Sequence, residues 1–148
     1  MRVVLLFLLV FFFNSCFLFK DLKRTRFSFT ENGKEVPVDA VVPKKYNKTE
    51  SQTDSVGNQI QYYYYSNGSV LYFALMKDTS SELQSINYDL NIPKPLYHTI
   101  YFKGFDSTGH YWRETRFDHY RAGYKKVEEG EDGNFDSSLN YFSLHLKH

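Results

Sequence analysis

The stretch IQYYYYSNGSVLYFALM, residues 60 to 76, decides the fold of this chain. Two runs rich in aromatic and branched residues, 60–65 and 70–76, flank the polar residues Ser66–Ser69. Such side chains fit a pleated strand, and Asn67-Gly68 can occupy the two left-handed positions of a tight turn. The stretch therefore predicts an antiparallel β-hairpin. The run Tyr62–Tyr65 places two rings on each face of the strand, so both faces are covered, or one is covered and the other binds a partner.

Downstream of the hairpin the sequence predicts a meander and a closing helix. Residues 96–105, 110–118 and 120–127 have the pattern of three strands, with a turn at 106–109. An acidic segment, 128–133, ends the sheet, and Asn134 can cap a helix after it. The apolar residues of that helix keep helical spacing and should pack on the sheet as one stripe: Phe135, Leu139, Phe142 and Leu146.

Upstream of the hairpin the segments are shorter and more polar. Residues 26–30 alternate phenylalanine with polar residues, which predicts a strand, and Asn32-Gly33 predicts the turn that follows. Residues 36–42 predict a second strand, which we place at a sheet edge because prolines bracket it and cannot donate to a ladder. Residues 44–58 are polar and show no period, so we predict a loop.

The segment between the hairpin and the meander, residues 77–90, fits two structures. Thr79 and Glu82 match a capping box, whereas Ile86 and Leu90 suit either a helix or an alternating strand. We predict a short helical turn that runs into a strand. Residues 91–95 contain two prolines and form a rigid connector.

Together these segments predict one α+β domain over residues 26–148. Its core is an antiparallel β-sheet, a meander with hairpins, covered by a C-terminal amphipathic helix.

The amino-terminal segment, residues 1–19, indicates the cellular location of the protein rather than part of its fold. Arg2 adds positive charge, and residues 3–13 form an apolar run shorter than the roughly 20 residues that span a bilayer. This is the layout of a secretory signal. Phe13-Asn14-Ser15-Cys16 matches a loose lipobox, in which a small residue precedes a cysteine that becomes lipidated. The sequence thus predicts a lipoprotein-type signal peptide at residues 1–15.

Cys16 is the predicted point of attachment. It is the only cysteine of the chain, so an intramolecular disulfide is impossible. A diacylglycerol on the thiol plus an amide-linked chain such as palmitate exceeds the two signals needed for stable anchoring. Residues 16–25 would be the lipidated cysteine and a basic tether. Two alternatives stay open: a secreted or periplasmic soluble protein, for which Phe13 is bulky at the −3 position, and an uncleaved anchor extending to Phe19.

Composition excludes some classes of function. The formal net charge is +1, so the chain has no electrostatic footprint for nucleic acid. With 13 Tyr, 14 Phe and 1 Trp, the chain is aromatic-rich, which suits a β core and also an aromatic binding face. The five histidines show no metal-ligand spacing, and no phosphate loop or nucleophile elbow is present. We therefore predict no catalytic residue, metal or cofactor.

The densest polar cluster is residues 109–119. In a strand, alternate residues of this cluster share one face: His110, Trp112, Glu114, Arg116 and Asp118. That face carries acids, bases and an aromatic platform, so it could bind a sugar or a peptide. His–Asp acid/base chemistry is a second possibility. The third is a solvent-facing strand with Glu114–Arg116 pairs and Trp112 over a core edge.

Three segments of the chain carry a resemblance. Tyr111-Trp112-Arg113-Glu114, Gly123-Tyr124-Lys125-Lys126-Val127 and Phe135-Asp136-Ser137-Ser138-Leu139-Asn140 resemble small lipoproteins of Bacteroidota-type bacteria. Those proteins are largely uncharacterised. The resemblance covers the last third of the chain plus the leader, and it implies an envelope address but no molecular function.

Three hypotheses for function follow. The first is a non-enzymatic envelope lipoprotein, anchored to a bacterial membrane through Cys16, whose domain binds a protein or a glycan. The second is a periplasmic immunity or inhibitor protein that binds a toxin or an enzyme. The third is a hydrolase that uses His110 or His119 with Asp118.

Overall fold

The computed structural model describes residues 21–77 and 101–145. In these ranges the chain forms eight strands and a helix: β1 (Leu22–Glu31), β2 (Lys34–Pro43), β3 (Tyr46–Thr53), β4 (Gln59–Tyr65), β5 (Val70–Leu75), β6 (Tyr101–Phe105), β7 (Tyr111–Phe117), β8 (Tyr120–Val127) and α1 (Asp132–His145). The predicted α+β class is confirmed. The predictions for residues 78–100 lie outside the described residues.

A six-stranded antiparallel sheet forms the centre of the domain. Its strand order is β3-β4-β5-β8-β7-β6, and β1 and β2 form a separate two-stranded sheet. The predicted hairpin of residues 60–76 is confirmed as β4 and β5, which pair from Gln59↔Leu75 to Tyr64↔Val70. The meander is confirmed as β6, β7 and β8, and β8 joins it to the hairpin by pairing with β5.

The helix and the β1–β2 hairpin cover one face of the sheet. Helix α1 packs on β2, β8 and β7. The stripe predicted for the helix is confirmed for Phe135, Leu139 and Phe142, all of which are buried, while Leu146 lies outside the described residues. These three meet the inward side chains of the strands in one core: Phe29, Val38, Ala40, Val42, Tyr63, Leu71, Phe73, Leu75, Ala122, Tyr124 and Val127.

Two boundaries differ from the prediction. Strand β1 begins at Leu22 rather than at residue 26, so residues 22–25 belong to a strand and not to the tether. Leu22 is buried, and its single apolar side chain among basic residues gave too weak a pattern to mark a strand start. The helix begins at Asp132, two residues before the predicted cap at Asn134.

The predicted loop of residues 44–58 is wrong. Strand β3 occupies Tyr46–Thr53 and pairs with β4 as an edge of the six-stranded sheet. Most of its side chains are exposed, so the strand has no buried face to impose a period-2 hydrophobic pattern. Its Thr and Tyr residues suit strands, but the polar composition concealed this.

The two Asn-Gly turns differ from each other. Asn32 and Gly33 both have positive φ, 51° and 74°, as a two-residue hairpin turn requires. In the other turn Gly68 has φ 89°, and Asn67 is not left-handed, contrary to the prediction. Tyr65 pairs with Ser69 there, so three residues form the loop and only the last needs positive φ.

Candidate functional site

The predicted polar face comes together only in part. Trp112, Glu114 and Arg116 lie on β7 and share a face, as expected. His110 and Asp118 lie outside the strand, one before its first residue and the other after its last. They are eight residue steps apart along an extended strand, about 26 Å, so no site can use both.

The three residues that share the face are buried. Trp112 is 9% exposed, Glu114 0% and Arg116 9%. The expectation of a solvent-facing strand is therefore wrong for these positions. A charged side chain loses its hydration when it is buried. A buried ion pair is therefore stable only when each charge has close hydrogen-bond or ionic partners. The contacts of Glu114 show how this condition is met.

Glu114 accepts hydrogen bonds from neighbouring side chains of the sheet. The hydroxyl of Tyr72 donates to Oε2 at 2.8 Å, and Nε of Arg116 donates to Oε1 at 3.2 Å. The guanidinium of Arg116 also lies over the ring of Phe102, with 4.5 Å to the centroid. Burial and the Glu114 carboxylate raise the pKa of Tyr72 well above its usual value, so its hydroxyl stays protonated and donates.

A glycine makes room for the Tyr72 ring. Tyr72 on β5 pairs with Gly123 on β8, and Gly123 pairs with Glu114 on β7. The tyrosine therefore reaches across β8 to the carboxylate. A Cβ on Gly123 would collide with the Tyr72 hydroxyl and would lie 2.6 Å from the carbonyl oxygen of Arg113. We call Tyr72, Glu114 and Arg116 the buried polar row.

Neither histidine of the cluster belongs to that row. Nδ1 of His110 lies 2.7 Å from Oγ1 of Thr108, in the turn between β6 and β7. Nε2 of His119 lies 3.7 Å from Oδ1 of Asp118, beyond hydrogen-bond distance. In the two described ranges, no group of three or more His, Cys, Asp or Glu side chains is placed to hold a metal ion.

The exposed aromatic rings lie on the opposite face of the same hairpin. Tyr101 is 46% exposed and Phe105 59%, and both are on β6, with the exposed Lys103 between them. Phe105 contacts Tyr111 of β7, with 4.3 Å between ring centroids. Arg113 of β7 lies over the ring of Tyr101 at 5.4 Å. We call these five residues the edge surface: Tyr101, Lys103, Phe105, Tyr111 and Arg113.

The helix holds the edge surface in place without covering it. Nη1 of Arg113 contacts Oδ1 of Asp136 on α1 at 2.7 Å. The hydroxyl of Tyr124 on β8 donates to the same oxygen at 3.0 Å. Helix α1 packs on β2, β8 and β7. Tyr101 and Phe105 of β6, the next strand, stay exposed. The cation–ring pair of Arg113 and Tyr101 is thus held from the helix side.

Sequence reasoning missed the edge surface. It predicted the strand that contains β6 but gave no account of which face would be open. The alternation Tyr101-Phe102-Lys103-Gly104-Phe105 held a signal, because a lysine in the centre of an aromatic strand marks the side that meets water. Gly104 faces the other way, under the indole of Trp112.

Neither a membrane-spanning helix, within the part of the chain that the structure describes, nor a similar known protein gives information about function. The helix α1 is neither long nor apolar enough to cross a membrane, and this holds for every helix in the described residues. No family model, no curated protein and no solved structure matches the chain.

Proposed function

We propose that this protein is a lipid-anchored envelope protein whose domain binds a partner without catalysing a reaction. The observation that carries the proposal is the edge surface, where Tyr101 and Phe105 are exposed on a strand. Its partner is a protein or a glycan, because either can cover aromatic rings. The near-neutral charge argues against nucleic acid.

The chemistry of the edge surface supports a binding role. Tyrosine and arginine are enriched among residues that dominate binding energy, and aromatic residues are enriched in interface cores. The rings of Phe105 and Tyr111 contact each other, and Arg113 is held by Asp136. Side chains already fixed by such contacts lose little conformational freedom when a partner binds.

The leader supports the anchored address. Strand β1 begins at Leu22, six residues after Cys16, and six residues of extended chain reach about 20 Å. Lipid on Cys16 would therefore hold the domain close to the bilayer. Expression in a diderm bacterium with labelled fatty acid tests this: wild type should carry the label at Cys16, and Cys16→Ala should lose both label and membrane attachment. An unlabelled wild-type chain would remove the anchor from the proposal.

Retention of a partner from envelope extracts tests the binding role. Phe105→Ser should lower retention at least ten-fold, since truncating a buried aromatic contact of an interface costs more than 1.4 kcal/mol. Val56→Ser is the matched control, because Val56 is 51% exposed and lies in the β3–β4 loop. Equal retention by both variants would refute a role for the edge surface. A single stoichiometric enzyme as the partner would favour the inhibitor hypothesis, and retention on glycan beads would identify a carbohydrate.

A further inference from the structure

The open side of β6 presents backbone donors and acceptors next to the exposed rings. The backbone N–H of Asp106 donates to the carbonyl of His110 at 2.9 Å, which makes these two a hydrogen-bonded pair. Hydrogen-bonded and non-hydrogen-bonded pairs alternate along an antiparallel ladder. In this register Phe105, Lys103 and Tyr101 each form a non-hydrogen-bonded pair with a residue of β7. The N–H and C=O groups of these three residues therefore point away from β7.

No strand in the described residues pairs with this side of β6. The strand is the last of the six-stranded sheet. Proteins commonly protect such an edge with a short strand or a lysine, and β6 has both features. Protection of the edge does not explain the two large exposed rings beside Lys103. They add apolar surface next to the backbone groups on which another strand would dock.

We propose that β6 binds an extended peptide strand, with an acidic residue opposite Lys103 and apolar residues opposite Tyr101 and Phe105. This inference rests on the proposed binding function and specifies its partner class. Addition of a strand to a sheet edge obtains affinity from main-chain hydrogen bonds and specificity from alternate side chains. Here the alternate side chains of the incoming strand would meet the exposed residues of β6.

Charge selects this occupant over a second copy of the chain. An antiparallel β6–β6 contact centred on Lys103 would place two lysines directly opposite each other, and like charges in that position are destabilising. An acidic residue opposite Lys103 turns the repulsion into attraction.

Two synthetic heptapeptides test the charge rule. Both alternate threonine and valine, are acetylated and amidated at their ends, and carry either glutamate or lysine at the centre. The full chain in detergent, followed by amide chemical shifts, should bind the glutamate peptide roughly ten-fold more tightly than the lysine peptide at low salt. Lys103→Glu should reverse this preference. Equal affinity of wild type for both peptides would overturn the proposal.

Lys103→Pro tests the backbone part of the proposal. Because the N–H of Lys103 points to the open side, proline there removes a docking donor and no bond to β7. The variant should keep its circular dichroism and bind the glutamate peptide several-fold more weakly than Lys103→Ala, which also lacks the cation but keeps the backbone N–H. Binding equal to that of Lys103→Ala would overturn the proposal, as would a wild-type dimer that Lys103→Pro dissociates, since a second copy would then occupy the edge. Should the variant unfold, the reversal by Lys103→Glu decides the question.

Peptide binding to β6 and retention of an envelope partner can succeed or fail independently. If the heptapeptides do not bind while partner retention still depends on Phe105, strand docking is wrong and the binding function stands. If a heptapeptide binds as expected while envelope extracts yield no partner, strand docking stands and the assignment to an envelope partner fails.

Discussion

The two faces of the β6–β7 hairpin differ in an unusual way: charged residues are buried on one face, and aromatic residues are exposed on the other. One face holds an acid and an arginine inside the protein, with Glu114 0% exposed and Arg116 9% exposed. The other face leaves Tyr101 and Phe105 in contact with solvent. Strand alternation assigned residues to the correct faces of β7 but could not say which face is open. The neighbouring strands and the reach of the helix decide that.

The burial of a charged residue on this hairpin depends on a partner in a distant segment of the chain. Glu114 can leave water because Tyr72, 42 residues earlier in the chain, donates to it across Gly123. Phe105 lies on β6, one strand beyond the β7 strand on which α1 packs, and it remains exposed. Substitutions on the two faces should accordingly differ in kind, with stability lost on one face and binding lost on the other.

Glu114→Ala should have the largest effect on stability. It removes the carboxylate to which both Tyr72 and Arg116 donate, and breaking a buried ion pair costs about 3–5 kcal/mol. Urea unfolding monitored by circular dichroism measures the loss. Glu129→Ala, at an exposed acidic position, should change the free energy of unfolding by less than about 0.5 kcal/mol. Similar values for the two variants would mean that Glu114 is not buried.

Gly123→Ala should be the next most damaging, because the methyl group has no space. It would meet the Tyr72 hydroxyl and the Arg113 carbonyl oxygen, and overpacking costs about 1–3 kcal/mol. Gly133→Ala is the matched control: it lies in helix α1, and no atom would be within 4 Å of its Cβ. Alanine there should stabilise the protein slightly, by roughly 0.5 kcal/mol or less, because Gly133 lies in the first turn of the helix. Opposite signs of the two changes in thermal unfolding support the packing of Tyr72.

Tyr72→Phe should cost about 1.5–3 kcal/mol, less than Glu114→Ala, since it removes one hydrogen bond to a charged group and keeps the ring. The pKa of Tyr72 is raised in the folded state, so its contribution is complete below pH 10 and is lost as pH rises further. The free energy of unfolding should fall above pH 10 in wild type and fall less steeply in Tyr72→Phe. Burial also raises the pKa of Tyr63, so some alkaline slope should remain. An unchanged slope in the variant would contradict the burial of Tyr72.

Phe105→Ser should have the smallest effect on stability, within about 0.5 kcal/mol, because the ring is 59% exposed. Its effect should appear in partner retention instead. A loss of stability comparable to that of Gly123→Ala would show that Phe105 supports the fold, and would weaken the argument for a binding surface.

The sequence predicted those parts of the fold that depend on local pattern. Tyr62–Tyr65 and Val70–Met76 carried enough β-forming side chains to mark the central hairpin, and Phe135, Leu139 and Phe142 marked the helix face. Strand β3 was missed, because an edge strand with exposed side chains has no hydrophobic alternation. The left-handed geometry of Asn67 was also predicted wrongly, because loop length and not the Asn-Gly pair sets the turn.

The candidate site was harder to predict, because it depends on contacts between distant segments. The alternation in residues 109–119 grouped Trp112, Glu114 and Arg116 correctly. It could not show that Tyr72 would reach Glu114, or that β7 would end before Asp118. The edge surface is defined by what the helix leaves uncovered, and no local pattern carries that information.

Hydroxyl-radical footprinting of the native full chain tests most directly which face of the β6–β7 hairpin is exposed to solvent. Mass spectrometry would compare Trp112, the only tryptophan, with Phe105 in the same sample. The structure predicts strong labelling of Phe105 and Tyr101 and protection of Trp112 and Tyr72, even though indole is intrinsically at least as reactive as a phenyl ring. Strong labelling of Trp112 together with protection of Phe105 would contradict the account, because the binding surface would then lie on the other face.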